Sequence, residues 1–230
     1  MERLVLFDID GTLTRTQNGY LPFNEAILST FGIQGDIRSV IPDGNTDPRI
    51  VQEIFVAANI HIEIDLAQWQ AFAAKLERCY VEAVRAGTTM VQALPGAAEL
   101  LRALSTNGGF GGSVVTGNFE PIAHVKLKTA ELDRYLCRGA YGSDSPHRPD
   151  LPVIARQRWE TVSRRSVPPE QCIIVGDTPK DLEAARLNGM KCVLVGTGRY
   201  PVEELMLFKP DACLPDLSDT GEVLRTLKGL

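Results

Sequence analysis

At 230 residues, with 44% hydrophobic and 23% charged residues, the chain has the composition of a soluble globule, either one large domain or a domain carrying an insertion. A formal net charge of −5 argues against a general binder of nucleic acid or of anionic membrane surfaces, and no apolar run reaches membrane-spanning length. The five cysteines, at positions 79, 137, 172, 192 and 213, are odd in number and lack metal-ligand spacing, so reduced thiols and a cytoplasmic setting are expected, with no signal peptide ahead of the first strand.

That strand is Leu4-Val5-Leu6-Phe7, a continuous apolar run of the kind buried on both faces of a parallel sheet. It runs into Asp8-Ile9-Asp10-Gly11-Thr12. Residues i and i+2 of a strand project to the same side, so Asp8 and Asp10 can reach one small volume at its carboxyl end. Open α/β sheets bind ligands there. Two adjacent carboxylates favour a bound cation or a shared proton, and Gly11 permits a tight turn.

Arg15 to Pro22 is polar, with Gly and Pro, and reads as a connector. Three amphipathic segments follow: Phe23 to Phe31, stopped by Gly32; Pro48 to Ala58; and Leu66 to Ala86, with Trp69, Phe72, Leu76, Tyr80 and Val84 on one stripe. Before the second lies Gly44-Asn45-Thr46-Asp47, which suits helix capping or a loop facing a site, with Arg49 available to an anionic group. From Leu94 onward strands alternate with helices: a helix from Ala97, a glycine-rich connection at 107–112, a strand ending at Val115, a helix from Ile122 and a strand at Arg138 to Tyr141. A helix from Pro152, strands at Cys172 and Lys191 to Val195, a last strand at Ala212 to Leu214 and a helix at Glu222 to Leu227 complete the pattern. Such alternation predicts a doubly wound parallel α/β sheet.

Two of these strands end in polar turns. Val115-Thr116-Gly117-Asn118 offers a hydroxyl and backbone N–H groups that can bind phosphate oxygens. Val175-Gly176-Asp177-Thr178-Pro179-Lys180-Asp181 repeats the apolar run into carboxylates, with Asp177 at the strand end and Asp181 near a helix start. Four carboxylates in two strand-end clusters suggest a hard-cation site, most simply Mg²⁺.

Together and in this order, the segments at Asp8–Thr12, Val115–Gly117 and Gly176–Asp181 resemble the haloacid dehalogenase-like (HAD) superfamily, in its phosphoglycolate phosphatase-like branch. The resemblance implies a core of residues 1–14 and 91–230 and an inserted α-helical cap of residues 15–90. It implies phosphomonoester hydrolysis with Asp8 as nucleophile, Asp10 as acid and base, and Thr116 as a phosphate-stabilising group. Mg²⁺ would be held by Asp8, Asp10 (through its backbone carbonyl), Asp177 and Asp181. Gly11, Thr12, Gly117, Asn118, Thr46 and Arg49 are the expected substrate contacts.

The family's third motif usually supplies a Lys, and none lies between Thr129 and Pro179. Arg148 stands in its place, with Arg156, Arg158, Lys126 and Lys128 as alternatives. Dehalogenases of the family lack the second Asp, so Asp10 favours phosphoryl chemistry on a small phosphorylated metabolite. A sugar phosphomutase would use the same residues. A non-hydrolytic phospho-accepting protein is the reading from another class, disfavoured by length and by the helical insertion. Neither the phosphomonoester nor the choice between monomer and homodimer is readable.

Overall fold

The computed structural model describes residues 3–230. Among them are eight strands: β1 (Arg3–Phe7), β2 (Thr14–Gln17), β3 (Met90–Ala93), β4 (Phe110–Val115), β5 (Cys137–Ala140), β6 (Cys172–Gly176), β7 (Lys191–Val195) and β8 (Ala212–Leu214). The helices are α1 (Tyr20–Phe31), α2 (Asp47–Ala57), α3 (Leu66–Arg85), α4 (Ala97–Thr106), α5 (Glu120–Thr129), α6 (Leu151–Ser163), α7 (Pro179–Leu187), α8 (Val202–Leu207) and α9 (Thr220–Gly229).

Six strands form one sheet in the order β5-β4-β1-β6-β7-β8, with every pairing parallel. The chain fills one side of β1 with β4 and β5 and then crosses to build β6, β7 and β8. The order therefore reverses at β1, and the loops leaving β1, β4 and β6 meet at that reversal. The central strands are apolar because both of their faces are covered. Val5, Phe7, Ile173, Val175 and Val193 pack under α4, α5 and α9. Leu4, Leu6, Ile174, Cys192 and Leu194 pack under α6, α7 and α8. Burying each large aliphatic side chain contributes roughly 1.5–3 kcal/mol, which fixes the register of β1 against both neighbours.

The glycine-rich stretch expected as a flexible connection is in part strand. Phe110, Gly111 and Gly112 pair with Arg3, Leu4 and Val5. Gly111 lies under the Trp159 indole, where a Cβ would collide with the ring. The glycine is there for a close approach rather than for mobility.

Helices α1 to α3 build a third apolar cluster around Phe23, Ile27, Ile54, Phe55, Phe72 and Leu76. Gly32 ends α1 in the left-handed conformation (φ 67°), and α3 opens with a capping box between Asp65 and Gln68. This cluster is completed from outside: Phe119 and Ile122, which follow β4, are buried within it. Phe119 touches both Trp69 and Phe72, at ring-centroid distances of 6.1 and 5.8 Å. The segments entering and leaving the helical block are also joined. Strands β2 and β3 pair antiparallel, Thr14 opposite Ala93 and Gln17 opposite Met90. The expected connector at 15–22 is thus half of a two-stranded ribbon followed by the first turn of α1. Helix α8, absent from the sequence-based expectation, covers the β7–β8 edge with Leu205. Among the described residues, no helix is long and apolar enough to cross a membrane.

Candidate functional site

The carboxyl ends of β1, β4 and β6 converge on a cavity of about 650 Å³ between the sheet and the helical block. Asp8, Asp10, Thr116, Gly117, Asn118, Lys126, Arg148 and Asp177 line its floor. From the block side come Tyr20, Arg38, Val40, Asn45 and Asp47 among others.

Asp8 follows β1 directly, its N–H donating to Val175 O at 2.9 Å across the sheet. Asp8, Asp177 and Asp181 each offer a carboxylate oxygen within 4.8 Å of the others, and all three are buried. One cation faces them: Arg148 Nη2 lies 3.1 Å from Asp8 Oδ1 and 2.5 Å from Asp181 Oδ1. Burial pushes the Asp8 carboxyl up to about 7 despite Arg148. Asp177 is raised well above the carboxylate range by burial and by its neighbours Asp8 and Asp181. Three buried carboxylates against one guanidinium leave negative charge uncompensated. The donor set of these three carboxylates is all oxygen, as a hard divalent cation requires. These residues fit a metal ion.

Two of the carboxylates are locally fixed. The Thr12 hydroxyl donates to Asp177 Oδ1 at 3.2 Å. Asp181 closes a capping box at the start of α7, accepting from the Thr178 N–H and hydroxyl at 3.1 and 2.8 Å. Gly11 has φ 79°, and a Cβ there would strike the Asp177 carboxylate. The turn after Asp10 is therefore restricted to glycine on two counts.

Asp10 faces a different environment. Its Oδ2 accepts from Lys126 Nζ at 2.6 Å and from Asn118 Nδ2 at 2.8 Å, and its Oδ1 accepts from the Thr16 hydroxyl at 3.3 Å. Asn118 closes the network, accepting from Lys126 Nζ at 2.7 Å and donating to Thr116 Oγ1 at 2.9 Å. Burial works to raise the Asp10 carboxyl, but the ammonium and these hydrogen bonds outweigh it and hold the group below its ordinary range. Burial likewise works to neutralise Lys126, and Asp10 reverses that, leaving its pKa raised. The Asp10 carboxylate is not part of the acidic cluster, so a metal contact from this residue would fall to its main chain.

Several expected contacts sit elsewhere. Thr12 is spent on Asp177. The Thr46 hydroxyl donates to Pro146 O at 2.8 Å and does not line the cavity. Arg49 is exposed and pairs with Glu53 one turn along α2, at 3.2 Å. Arg156 donates to Val167 O, and Arg158 to Gly139 O and Asp144, so both serve the scaffold around α6. Lys128 is exposed on α5. Of the five candidate cations, Arg148 and Lys126 reach the site, one on each Asp of the first segment. Lys126 has a visible cue in the sequence: it shares the inward stripe of α5 with Ile122, four positions earlier. Asp47, in the stretch expected to cap a helix or face a site but not among the expected substrate contacts, is buried against the turn after β4, with its Oδ2 accepting from Phe119 N–H at 2.8 Å.

Comparison with known proteins gives a consistent result. Residues 2–189 match the sequence profile of the haloacid dehalogenase-like hydrolases. Phosphoglycolate phosphatase 1 of Pseudomonas aeruginosa is 25% identical over 204 residues, covering 86% of this chain and 71% of that protein. Fructose-1-phosphate phosphatase of Escherichia coli is 28% identical over 194 residues, covering 82% of this chain and 94% of that protein. Among solved structures, a hydrolase from Pseudomonas syringae superposes with a TM-score of 0.73 at 22% identity, over 98% of both chains.

Proposed function

The chain belongs to the haloacid dehalogenase-like hydrolase family, and on that premise we propose that it is a Mg²⁺-dependent phosphatase of a small phosphomonoester, working through an aspartyl-phosphate on Asp8. The observation that carries this reading is the division of labour between Asp8 and Asp10. The two lie one residue apart at one strand end, yet one belongs to an acidic cluster and the other to a Lys–Asn network.

Asp8 needs no base to act as a nucleophile once it is ionised. Asp8, Asp177 and Asp181 would hold a divalent cation, which would keep the Asp8 carboxylate ionised and offset its repulsion with the incoming dianion. Asp8 attacks phosphorus, an Asp8 O–P bond forms, and the bond from phosphorus to the leaving oxygen breaks. Asp10 gives its proton to that oxygen. It then takes a proton from the water that attacks phosphorus, releasing inorganic phosphate and restoring the Asp8 carboxylate. Lys126 keeps Asp10 ionised in the resting site, which suits the second step. The phosphate dianion, seated nearby, raises the Asp10 carboxyl toward the proton-carrying form that the first step uses. Thr116, the backbone N–H groups of the turn after it, and Arg148 stabilise charge on the transferring oxygens.

Residues 15–90 act as the cap in this reading, limiting water around the intermediate. The relatives named for phosphoglycolate and fructose 1-phosphate support a small ester as substrate. The test is phosphate release from a panel of small phosphomonoesters, with and without Mg²⁺, for wild type and Asp8→Asn. Metal-dependent release that Asp8→Asn abolishes is the expected result. Equal release by Asp8→Asn would remove the covalent mechanism, and no release from any ester would remove the phosphatase reading.

A further inference from the structure

Residues 43–47 of the helical block reach the segments that follow four strands of the core. Asp43 pairs with Arg199, after β7, at 3.3 Å. Asn45 Oδ1 accepts from Lys180 Nζ, after β6, at 2.6 Å. Thr46 donates to Pro146, after β5 and two residues before Arg148. Asp47 makes two bonds to the turn after β4: its N–H donates to Gly117 O at 2.7 Å, and its carboxylate accepts from Phe119 N–H. Gly117 admits this approach because a Cβ there would collide with the Asn45 carbonyl.

Thr46 holds the N-cap position of α2 and Asp47 its first helical position, where such side chains ordinarily serve the helix N-terminus. Neither does so here. No side chain caps α2, and both polar groups are turned onto the core. The helix forgoes a cap worth about 1 kcal/mol. Asp47 in addition carries the cost of a buried carboxyl, which burial pushes up to about 7. A group kept only to stabilise α2 would point the other way.

The two Asp47 bonds bracket Asn118, gripping residue 117 on one side and residue 119 on the other. Asn118 is the residue that joins Asp10, Thr116 and Lys126. We propose that Asp47 is a positioning residue: by clamping the 117–119 turn from the helical block, it sets Asn118, and through it Asp10 and Thr116, into working geometry only when the block is seated. This rests on the phosphatase reading for its catalytic consequence, while the clamp itself is a statement about structure.

The experiment compares wild type, Asp47→Ala and Asp47→Asn, where Asn keeps an acceptor for Phe119 N–H without the charge. Two quantities are read: steady-state kinetics on the best ester of a small phosphomonoester panel with Mg²⁺, and amide hydrogen exchange by mass spectrometry. Asp47→Ala should lower kcat at least ~10-fold with KM changed less than ~3-fold, as expected when only the transition-state geometry is lost. Peptides spanning 116–120 should exchange at least ~10-fold faster while β1 peptides stay as in wild type. Asp47→Asn should restore both quantities to within ~3-fold of wild type. Should Asp47→Ala fail to fold, Asp47→Ser, whose hydroxyl falls short of Phe119 N–H, takes its place. Unchanged exchange at 116–120 overturns the clamp, as does an Asn variant as impaired as Ala. An active wild type whose Asp47→Ala variant keeps full kcat overturns the catalytic consequence. A wild type inactive on every ester counts against the phosphatase reading alone, and the exchange data still decide the clamp.

Discussion

Asp8 and Asp10 are separated by one residue and served by opposite environments. The Asp8 side chain is 7% exposed and shares one guanidinium with two further carboxylates. The Asp10 side chain is 40% exposed to the cavity and takes an ammonium and an amide on one oxygen, with no second carboxylate bonded to that ammonium among the described residues. The first is pushed up to about 7 and the second is held below its ordinary range. Depth below the surface does not sort them, because burial acts upward on both. What sorts them is how many negative groups each cation must serve. Asp8 is thus built to need a further positive charge, and Asp10 is built to keep its own.

The largest expected effect tests which carboxylate is attacked. Asp8→Asn should reduce phosphate release to background, a loss of roughly 10⁴-fold or more of the kind seen when a covalent nucleophile is removed. Asp10→Asn should cost only the roughly 10²–10⁴-fold typical of a general acid and base, with some phosphoenzyme accumulating because its hydrolysis loses its base. The reverse ranking in a single-turnover assay would exchange the two assignments.

Arg148→Ala should come next. It removes the guanidinium that faces the buried carboxylates, and a loss of roughly 10²–10³-fold in kcat is expected from the lost charge stabilisation. Arg148→Lys should recover part of it. Near-normal turnover by Arg148→Ala would take Arg148 out of the chemistry.

The third expected effect is on stability and has a defined sign. A carboxyl raised from 3.8 to about 7 in the folded state binds more protons than it does in the unfolded state between those values. In metal-free protein, Asp8 and Asp177 should therefore make stability fall as pH rises from about 4 to 7, with no further loss from Asp8 above that. Mg²⁺ should flatten this slope and raise the midpoint at pH 8, since it binds the folded site. Thermal melts with EDTA and with Mg²⁺, at pH 5 and 8, read this directly. Asp8→Asn should melt higher than wild type at pH 8 without metal. The same slope with and without Mg²⁺ would remove the metal from the acidic cluster.

The smallest effect is on the other half. Lys126→Met removes the group that holds Asp10 low, so the acidic limb of the pH–rate profile should move to higher pH, with stability at neutral pH reduced. An unmoved limb would mean that Asp10 does not set it.

The strands and their acidic ends were legible because parallel strands covered on both faces are continuous apolar runs, and a break into Asp-x-Asp or Gly-Asp marks the edge of the sheet. The β2–β3 ribbon was not, since Thr14-Arg15-Thr16-Gln17 is polar and its partner lies 73 to 79 positions away across three helices. The bonds that the Thr12 and Thr46 hydroxyls make were hidden from the sequence for one reason. Sequence shows a hydroxyl beside the site, but only the fold shows that Asp177 and Pro146 O claim it first. Lys126 was visible as a charge on an apolar stripe, and Asp47 as the start of a helix. That Asp47 turns away from its own helix depends on Phe119 standing behind it, a tertiary fact with no local trace.

The position of β1 has a consequence for how the chain reaches this state. It lies at the centre of the sheet, yet its two neighbours begin at positions 110 and 172, so both pairings close very long loops. During synthesis the strand is exposed, apolar and unpaired while its partners are still to be made. High contact order of this kind slows folding and leaves a strand edge open to aggregation. The helices that follow β1 are local structures that form early. The helical block that lines the cavity would then also be the first shelter for the strand at its floor.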